Sequence, residues 1–454
     1  MTAALRLGTF DAERSWRPAD LARLPEMTEL ASSARTRVAA MDEVLAGMCA
    51  PGDTLVTRRP MDAELLSVLA DAGLRFANHA VAAPRQAVPE QAAPDPVADS
   101  VVELFATDPA APRLLRVHRL TPYAVTGPVA ALADAVPGGS PYRLPAVVDV
   151  ARVNSKTWSN ELVGELGLPG AGVSVFSTGE LAVAVADAGF PAVVKDPFGV
   201  SGSGALAVPS PGVLRAITRT LDRQVADGKR VELLVQPHYV RRHDVSGHGE
   251  LTYDGGWRWL GLCSVRNRGF RFTGAGPADD DVAPLEPALR AVADEVARRA
   301  YAAGYWGPLS IDSMVLADGT LVPVLEVNAR VSLGRLTLDV DRTCAGEPDE
   351  PARCHLWQIE LTAPPEITTG RLLHALRRDG LLYRLGAGNR AGCVPLGGVP
   401  AAAGQGGPER QAAPVIRWHC VLRCLPGEVS TLRERVLASL ASVGLRQPGL
   451  AHAA

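Results

Sequence analysis

The chain has 454 residues, and 46 Lys plus Arg against 49 Asp plus Glu leave a formal charge of −3. That balance argues against a bulk electrostatic partner such as nucleic acid or an anionic membrane. Hydrophobic residues at 47% and charged residues at 21% suit a globular protein, and 44 glycines with 36 prolines, lacking any Gly-X-Y period, exclude a collagen-like chain and imply many loops.

The seven cysteines, Cys49, Cys263, Cys344, Cys354, Cys393, Cys420 and Cys424, include no CxxC pair. Cys420 and Cys424 share a face of a strand-like run, but scattered reduced thiols are the expectation. The N-terminus has no basic-then-apolar leader, and no apolar run approaches the ~20 residues that span a bilayer. A soluble cytoplasmic protein with no membrane partner is expected.

In chain order, Asp53-Thr54-Leu55-Val56-Thr57 reads as a short strand. Met61 to Gly73 reads as a helix, with Leu65, Leu66, Val68 and Leu69 in helical period and Gly73 ending it. This alternation predicts a Rossmann-like layer over residues 1–145, but no GxGxxG supports a dinucleotide site. The four prolines between Val81 and Asp99 predict a linker or surface loop. Asn154 or Ser155 caps a helix carrying Lys156. Pro191 to Lys195 is a strand that runs into the glycine- and serine-rich stretch 196–204. Val231 to Gln236 and Trp257 to Val265 are further strands. Leu285, Leu289, Val292, Val296 and Ala300 mark a helix ended by Gly304. Ser310–Leu316 and Leu321–Asn328 form a hairpin around Asp318-Gly319. Gly386 to Pro414 reads as a flexible excursion, Val415 to Leu425 as a strand, and Val429 to Val443 as an amphipathic helix.

Two clusters carry chemistry. Gly199, Gly202 and Gly204, with Ser201 and Ser203, let backbone N–H groups approach a polyphosphate, and Lys195 supplies a point charge. The lysine precedes the glycines and no GK[ST] follows, so this is no P-loop, and taken alone it reads better as a plain hairpin turn. The second cluster is the hairpin. Glu326 and Asn328, two apart on a strand, share a face, and Asp312 ends the partner run. Oxygen-bearing side chains at the end of a buried hairpin are costly without a cation, and Mg²⁺ fits them.

Strand parity makes that assignment testable. A two-residue turn at Asp318-Gly319 puts Asp312 opposite Leu325, on the wrong face. A three-residue turn, Ala317-Asp318-Gly319, puts it on the face of Glu326 and Asn328. A three-residue turn with Gly319 left-handed, or a bulge near Pro323, is therefore expected.

Over about Arg152 to Leu338, "PAVVKDPFGVSGSG", "LLVQPHYV" and "GYWGPLSIDSMV…VPVLEVNAR" together resemble the ATP-grasp superfamily. The resemblance implies an α/β (α+β) ATP-grasp fold. It would comprise an N-terminal pre-ATP-grasp domain (1–145), a core (146–343, with its lid about 190–236) and a C-terminal extension (344–454) on the acceptor side. The whole is most similar to peptide ligases of the pheganomycin type.

The same resemblance implies ATP and Mg²⁺ as cofactors and assigns roles. Lys156 and Lys195 would contact phosphates under the lid Ser201, Gly202, Ser203 and Gly204. Gln236, with backbone at His238 and Tyr239, would read adenine, and Asp244 would hold the ribose. Asp312, Glu326 and Asn328 would ligate Mg²⁺, and of the catalytic pair Arg330 and Lys195, Arg330 would meet the transferring phosphoryl group or a substrate carboxylate. Gln236 replaces a usual glutamate. Ser310 replaces a usual arginine, whose charge Arg266, Arg268 or Arg271 could supply; a solvated strand face is the even alternative. The implied chemistry joins a small-molecule carboxylate to an amine, an amino acid or peptide, through an acyl phosphate, with a homodimer as an open expectation. A phosphotransferase on the same fold, or a nucleotide-binding regulatory module without turnover, stays open. His238, His243 and His248 recur every five residues and read as loop residues, not a metal site.

Overall fold

The computed structural model describes residues 2–25, 41–81, 100–136, 142–200, 203–345, 351–388, 390–399 and 415–448. Most of the linker expected at Val81–Asp99, and Ser201 with Gly202, lie outside these.

The described residues build three sheets. Strands β1 (Ala4–Leu7), β2 (Thr54–Thr57), β3 (Ala77–Ala80) and β4 (Arg119–Pro122) form a parallel sheet in the order β3-β2-β1-β4. Helix Ala63–Asp71 follows β2. Asp62 caps it by accepting from the N–H groups of Glu64 and Leu65, and Gly73 turns out of it at φ +97°. The four-stranded antiparallel second sheet comprises β5 (Val173–Val175), β6 (Ala192–Val200), β7 (Ser203–Val208) and β8 (Leu233–Pro237), in the order β5-β8-β6-β7. Helices Thr178–Ala188 and Pro211–Ala226 bury Leu181, Val185, Leu214, Ile217 and Leu221 in this unit's core.

The third sheet has eight strands: β9 (Arg241–Leu251), β10 (Trp257–Arg268), β11 (Arg271–Pro277), β12 (Gly307–Leu316), β13 (Leu321–Asn328), β14 (Arg353–Thr362), β15 (Gly392–Pro395) and β16 (Val415–Cys424), in the order β13-β12-β9-β10-β11-β14-β16-β15. Strands from beyond residue 343 thus extend the same sheet that carries Asp312. Helix Val429–Ser442 buries Leu432, Val436 and Leu440. All seven cysteines are buried and form no disulfide. No helix among the described residues is long and apolar enough to cross a membrane.

Two expectations need correction. His243 and His248, read as loop residues, lie in strand β9. Gly247 and Gly249 hide its alternation, because a Cβ there would meet the rings of Trp259 and Trp257 at 2.5 and 2.0 Å. The glycines open space for two tryptophans and remove the apolar signal a strand normally shows. Likewise Gly386–Pro414 is not wholly an excursion, since β15 lies within it and pairs with β16.

The β12–β13 turn has three residues. Leu316 N–H donates to Thr320 O, Gly319 N–H donates to Leu316 O, and Gly319 sits at φ +89°. From Met314 opposite Val322 to Asp312 opposite Glu326, β12 advances two residues while β13 advances four. The bulge therefore holds an even surplus beside Pro323 and preserves parity. Asp312 directly opposes Glu326, and Ser310 opposes Asn328.

Candidate functional site

The site forms where helix Lys156–Glu165, the β6–β7 hairpin and the β12–β13 hairpin meet. Ser155 caps the helix by accepting from Trp158 N–H. β13 is the edge strand, and its outward amides are taken by the helical segment: Val327 N–H donates to Ser159 Oγ and Ala329 N–H to Asn154 Oδ1, both at 3.0 Å. These bonds seat the helix start against β13. Lys156 is consequently buried, with Nζ donating to Glu326 Oε1 at 2.8 Å and to Gly199 O at 2.6 Å.

Two cross-strand rows line this face. Glu326, Asp312 and Ser246 form one, and Asn328, Ser310 and His248 the next. Opposed side chains in such rows have Cβ atoms ~5 Å apart. Asp312 accepts from Ser246 Oγ at 2.8 Å and from Asn328 Nδ2 at 3.0 Å. Burial pushes its carboxyl up to about 6, and the Glu326 charge adds to that. In the second row Ser310 Oγ and His248 Nε2 lack partners among the described residues. Burial, with Arg335 nearby, holds the His248 imidazole down at about 3, so it is neutral.

Lys195 on β6 joins the cluster. Its ammonium is lowered to about 8, chiefly by burial and in smaller part by Lys156, against Glu326 and Asp312, which raise it. No hydrogen bond or ion pair holds it among the described residues. Ser203 begins the return strand opposite Val200, and Gly204 follows it at φ +86°.

The donor set suits a hard divalent cation. Asp312 and Glu326 offer carboxylates and Asn328 an amide oxygen, all at one hairpin end. Among the described residues no group of three His, Cys, Asp or Glu is placed to hold a metal. Two carboxylates and one amide oxygen are a donor set that Mg²⁺ would complete with phosphates and water.

The other expected residues lie at varying distance from this cluster. Arg330, two past Asn328, is buried and paired with Glu13. It also donates to Tyr123 Oη at 3.1 Å and stands 5.6 Å over that ring. Burial opposes its charge, and Glu13 more than offsets this, so the guanidinium stays charged. Asp244 is on the site face of β9, opposite Met314, held by Asn267 Nδ2 at 2.8 Å and Arg241 at 3.4 Å. Gln236 on β8 is buried and donates to Gly170 O at 2.7 Å. His238 uses its N–H on Pro191 O at 3.2 Å, and Tyr239 is half-buried. Arg266, Arg268 and Arg271 are exposed. Arg266 lies on the face away from Asp312, because its neighbour Val265 opposes Asp244. The residues that sequence reasoning missed are Ser246, hidden in the glycine-interrupted strand, and Glu13 with Tyr123, for which no local signal exists.

No protein-family model and no curated protein sequence matches the chain. Solved structures do. Biotin carboxylase from Campylobacter jejuni, in complex with β,γ-ATP, aligns over 98% of this chain and 92% of its own at 11% identity, with TM-score 0.56. The ADP complex of N5-carboxyaminoimidazole ribonucleotide synthetase aligns over 96% of each chain at 11% identity, with TM-score 0.52. The biotin carboxylase domain of Hydrogenobacter thermophilus 2-oxoglutarate carboxylase, bound to MgADP, ADP and bicarbonate, aligns over 98% of this chain and 91% of its own at 11% identity, with TM-score 0.51. At these identities the likeness concerns architecture, and the architecture shared is the ATP-grasp fold.

Proposed function

We propose that the chain is an ATP-dependent, ADP-forming ligase that joins a carboxylate to an amine, with a peptide or amino-acid product of the pheganomycin type. The observation that carries this reading is the convergence of Lys156 and Lys195 on Asp312, Glu326 and Asn328. Lys156 contacts Glu326 directly, and the charges of Glu326 and Asp312 also act on Lys195 in the β6–β7 hairpin.

Phosphoryl transfer depends on positioning and charge neutralisation more than on covalent help. Lys195, without a hydrogen-bond or ion-pair partner among the described residues and penalised as an ammonium by burial, suits a phosphate oxygen that would stabilise its charge. Lys156 now neutralises Glu326 and would turn to phosphate when a cation takes Glu326. Asp312, Glu326 and Asn328 would hold Mg²⁺, which supplies charge neutralisation for the phosphates. The N–H groups near Gly204 would approach phosphates from the lid side, and Asp244 would receive the ribose. Arg330 would orient the substrate carboxylate for attack on the terminal phosphorus. The resulting acyl phosphate would then yield to the amine, with phosphate leaving. The regions 1–145 and 344–454 would flank this core, the latter on the acceptor side.

The test is a panel of carboxylate and amine pairs scored by ADP release with ATP and Mg²⁺. The reading expects release that requires both partners of some pair. Release with a carboxylate or alcohol alone and a stable phosphorylated product would instead make the protein a phosphotransferase.

A further inference from the structure

Helix Ala12–Trp16 has five residues, too few to persist without anchors. Its anchors run in three directions. Glu13 pairs with Arg330, the two side chains 4% and 10% exposed. Trp16 donates its indole N–H to Val125 O at 2.9 Å, tying the helix to the segment that follows β4. Arg17, the C-cap, pairs with Asp196, at 5% and 0% exposed. Asp196 follows Lys195 in β6 and also accepts from Phe198 N–H at 2.9 Å, which fixes the strand's path toward the lid turn.

Beyond Arg17 the chain stays on the lid. Leu21 bridges to Arg230, and Ala22 N–H donates to Arg230 O at 2.8 Å. Arg23 N–H donates to Gln224 Oε1 at 2.8 Å, and Lys229 Nζ donates to Ala19 O at 2.9 Å. One end of the strap thus belongs to the lid and the other holds Arg330.

Glu13 and Arg17 are four apart, so they leave the same side of one helical turn. Displacing the Arg17 end must tilt the Glu13 end, with the Trp16 bond on a neighbouring side as the pivot. Buried ion pairs give little stability over apolar packing of equal volume; their best-attested use is to fix one arrangement. Two such pairs on one short turn make a lever.

We propose that Glu13 and Arg17 are positioning residues that transmit lid movement at Lys195 to the guanidinium of Arg330. The inference rests on the nucleotide-binding reading above. Closure of the lid on nucleotide draws Asp196 and Arg17 with it, and Glu13 turns Arg330 toward the ion site. Arg330 is thereby oriented only when nucleotide is in place.

The experiment follows the Trp16 indole resonance, assigned with Trp16→Phe, in the nitrogen-15-labelled full chain. A non-hydrolysable ATP analogue with Mg²⁺ is titrated, and binding is measured separately by calorimetry. The inference expects the indole signal to move on binding, and the movement to shrink at least threefold in Arg17→Met at saturation. In the ligase assay, Glu13→Gln should lower kcat at least tenfold with KM for ATP changed less than threefold, and Glu13→Asp should recover part of the loss. Binding without indole movement, or unchanged kcat in Glu13→Gln, overturns the strap while leaving the nucleotide site standing. Absence of binding by calorimetry overturns both.

Discussion

Replacing Lys195 with Met separates stability from function. The Lys195 ammonium sits at about 8 against an ordinary 10.5, chiefly because of burial. A cation whose folded pKa lies below its unfolded value is penalised wherever it stays protonated. The penalty is therefore full below about pH 8 and fades as pH rises toward 10.5. A gap of some 2.5 units corresponds to about 3 kcal/mol at ~1.4 kcal/mol per unit, and the partial exposure of the side chain reduces this to ~1–3 kcal/mol. Lys195→Met removes the penalty, so without nucleotide the variant should be more stable than the parent at pH 7, by that margin. The two should converge by about pH 10. The same variant should bind ATP with Mg²⁺ at least tenfold more weakly, about 1.4 kcal/mol. Denaturant midpoints measured from pH 7 to 10, with calorimetric titration of ATP, read both effects. A less stable Lys195→Met at pH 7, or unchanged nucleotide affinity, would refute the reasoning.

Further expectations concern the hairpin and the lid. Asp312→Asn removes a carboxyl raised to about 6 by burial and Glu326, a contribution that favours the fold below about pH 4 and is lost as pH passes 6. Urea unfolding should show less pH dependence between 4 and 7 in this variant, and calorimetry should show no Mg²⁺-assisted nucleotide binding. Lys156→Met leaves Glu326 without its buried partner. Breaking a buried pair costs ~3–5 kcal/mol, and the 21% exposure of Glu326 points to the lower end, read by the same unfolding assay. Gly319→Ala places a Cβ at φ +89° and should cost ~1–2 kcal/mol by denaturation, although nothing crowds the site. Proteolysis within Gly199–Gly204 should slow at least threefold when ATP and Mg²⁺ are added, because a phosphate lid closes on its ligand.

The sequence made some of this architecture readable because local rules and tertiary demands agree there. Ser155 before Lys156 is an ordinary cap, and it caps the helix. The apolar run Leu321–Leu325 ending in Glu326 and Asn328 has strand parity; the three-residue turn puts Asp312 on the face of Glu326, and the bulge then brings the two directly opposite. The bulge beside Pro323 could be named as an alternative to that turn, but not as its companion, because its even surplus leaves unchanged the parity that the turn alone sets. β9 escaped notice because Gly247 and Gly249 sit where a strand would bury Val or Ile, ceding that volume to Trp259 and Trp257. With β9 went Ser246, which steadies Asp312. Glu13 lies 317 residues from Arg330, and no periodicity or spacing encodes that meeting. The place of β14 and β16 in the central sheet is likewise a matter of long-range register.

The central claim is that a carboxylate attacks the terminal phosphate of ATP before the amine enters. With a productive pair identified, the most direct measurement uses that carboxylate labelled with oxygen-18 and mass analysis of the released phosphate. The account predicts one labelled oxygen in phosphate for each amide formed, with ADP as the nucleotide product. Unlabelled phosphate, or AMP with pyrophosphate, would contradict it.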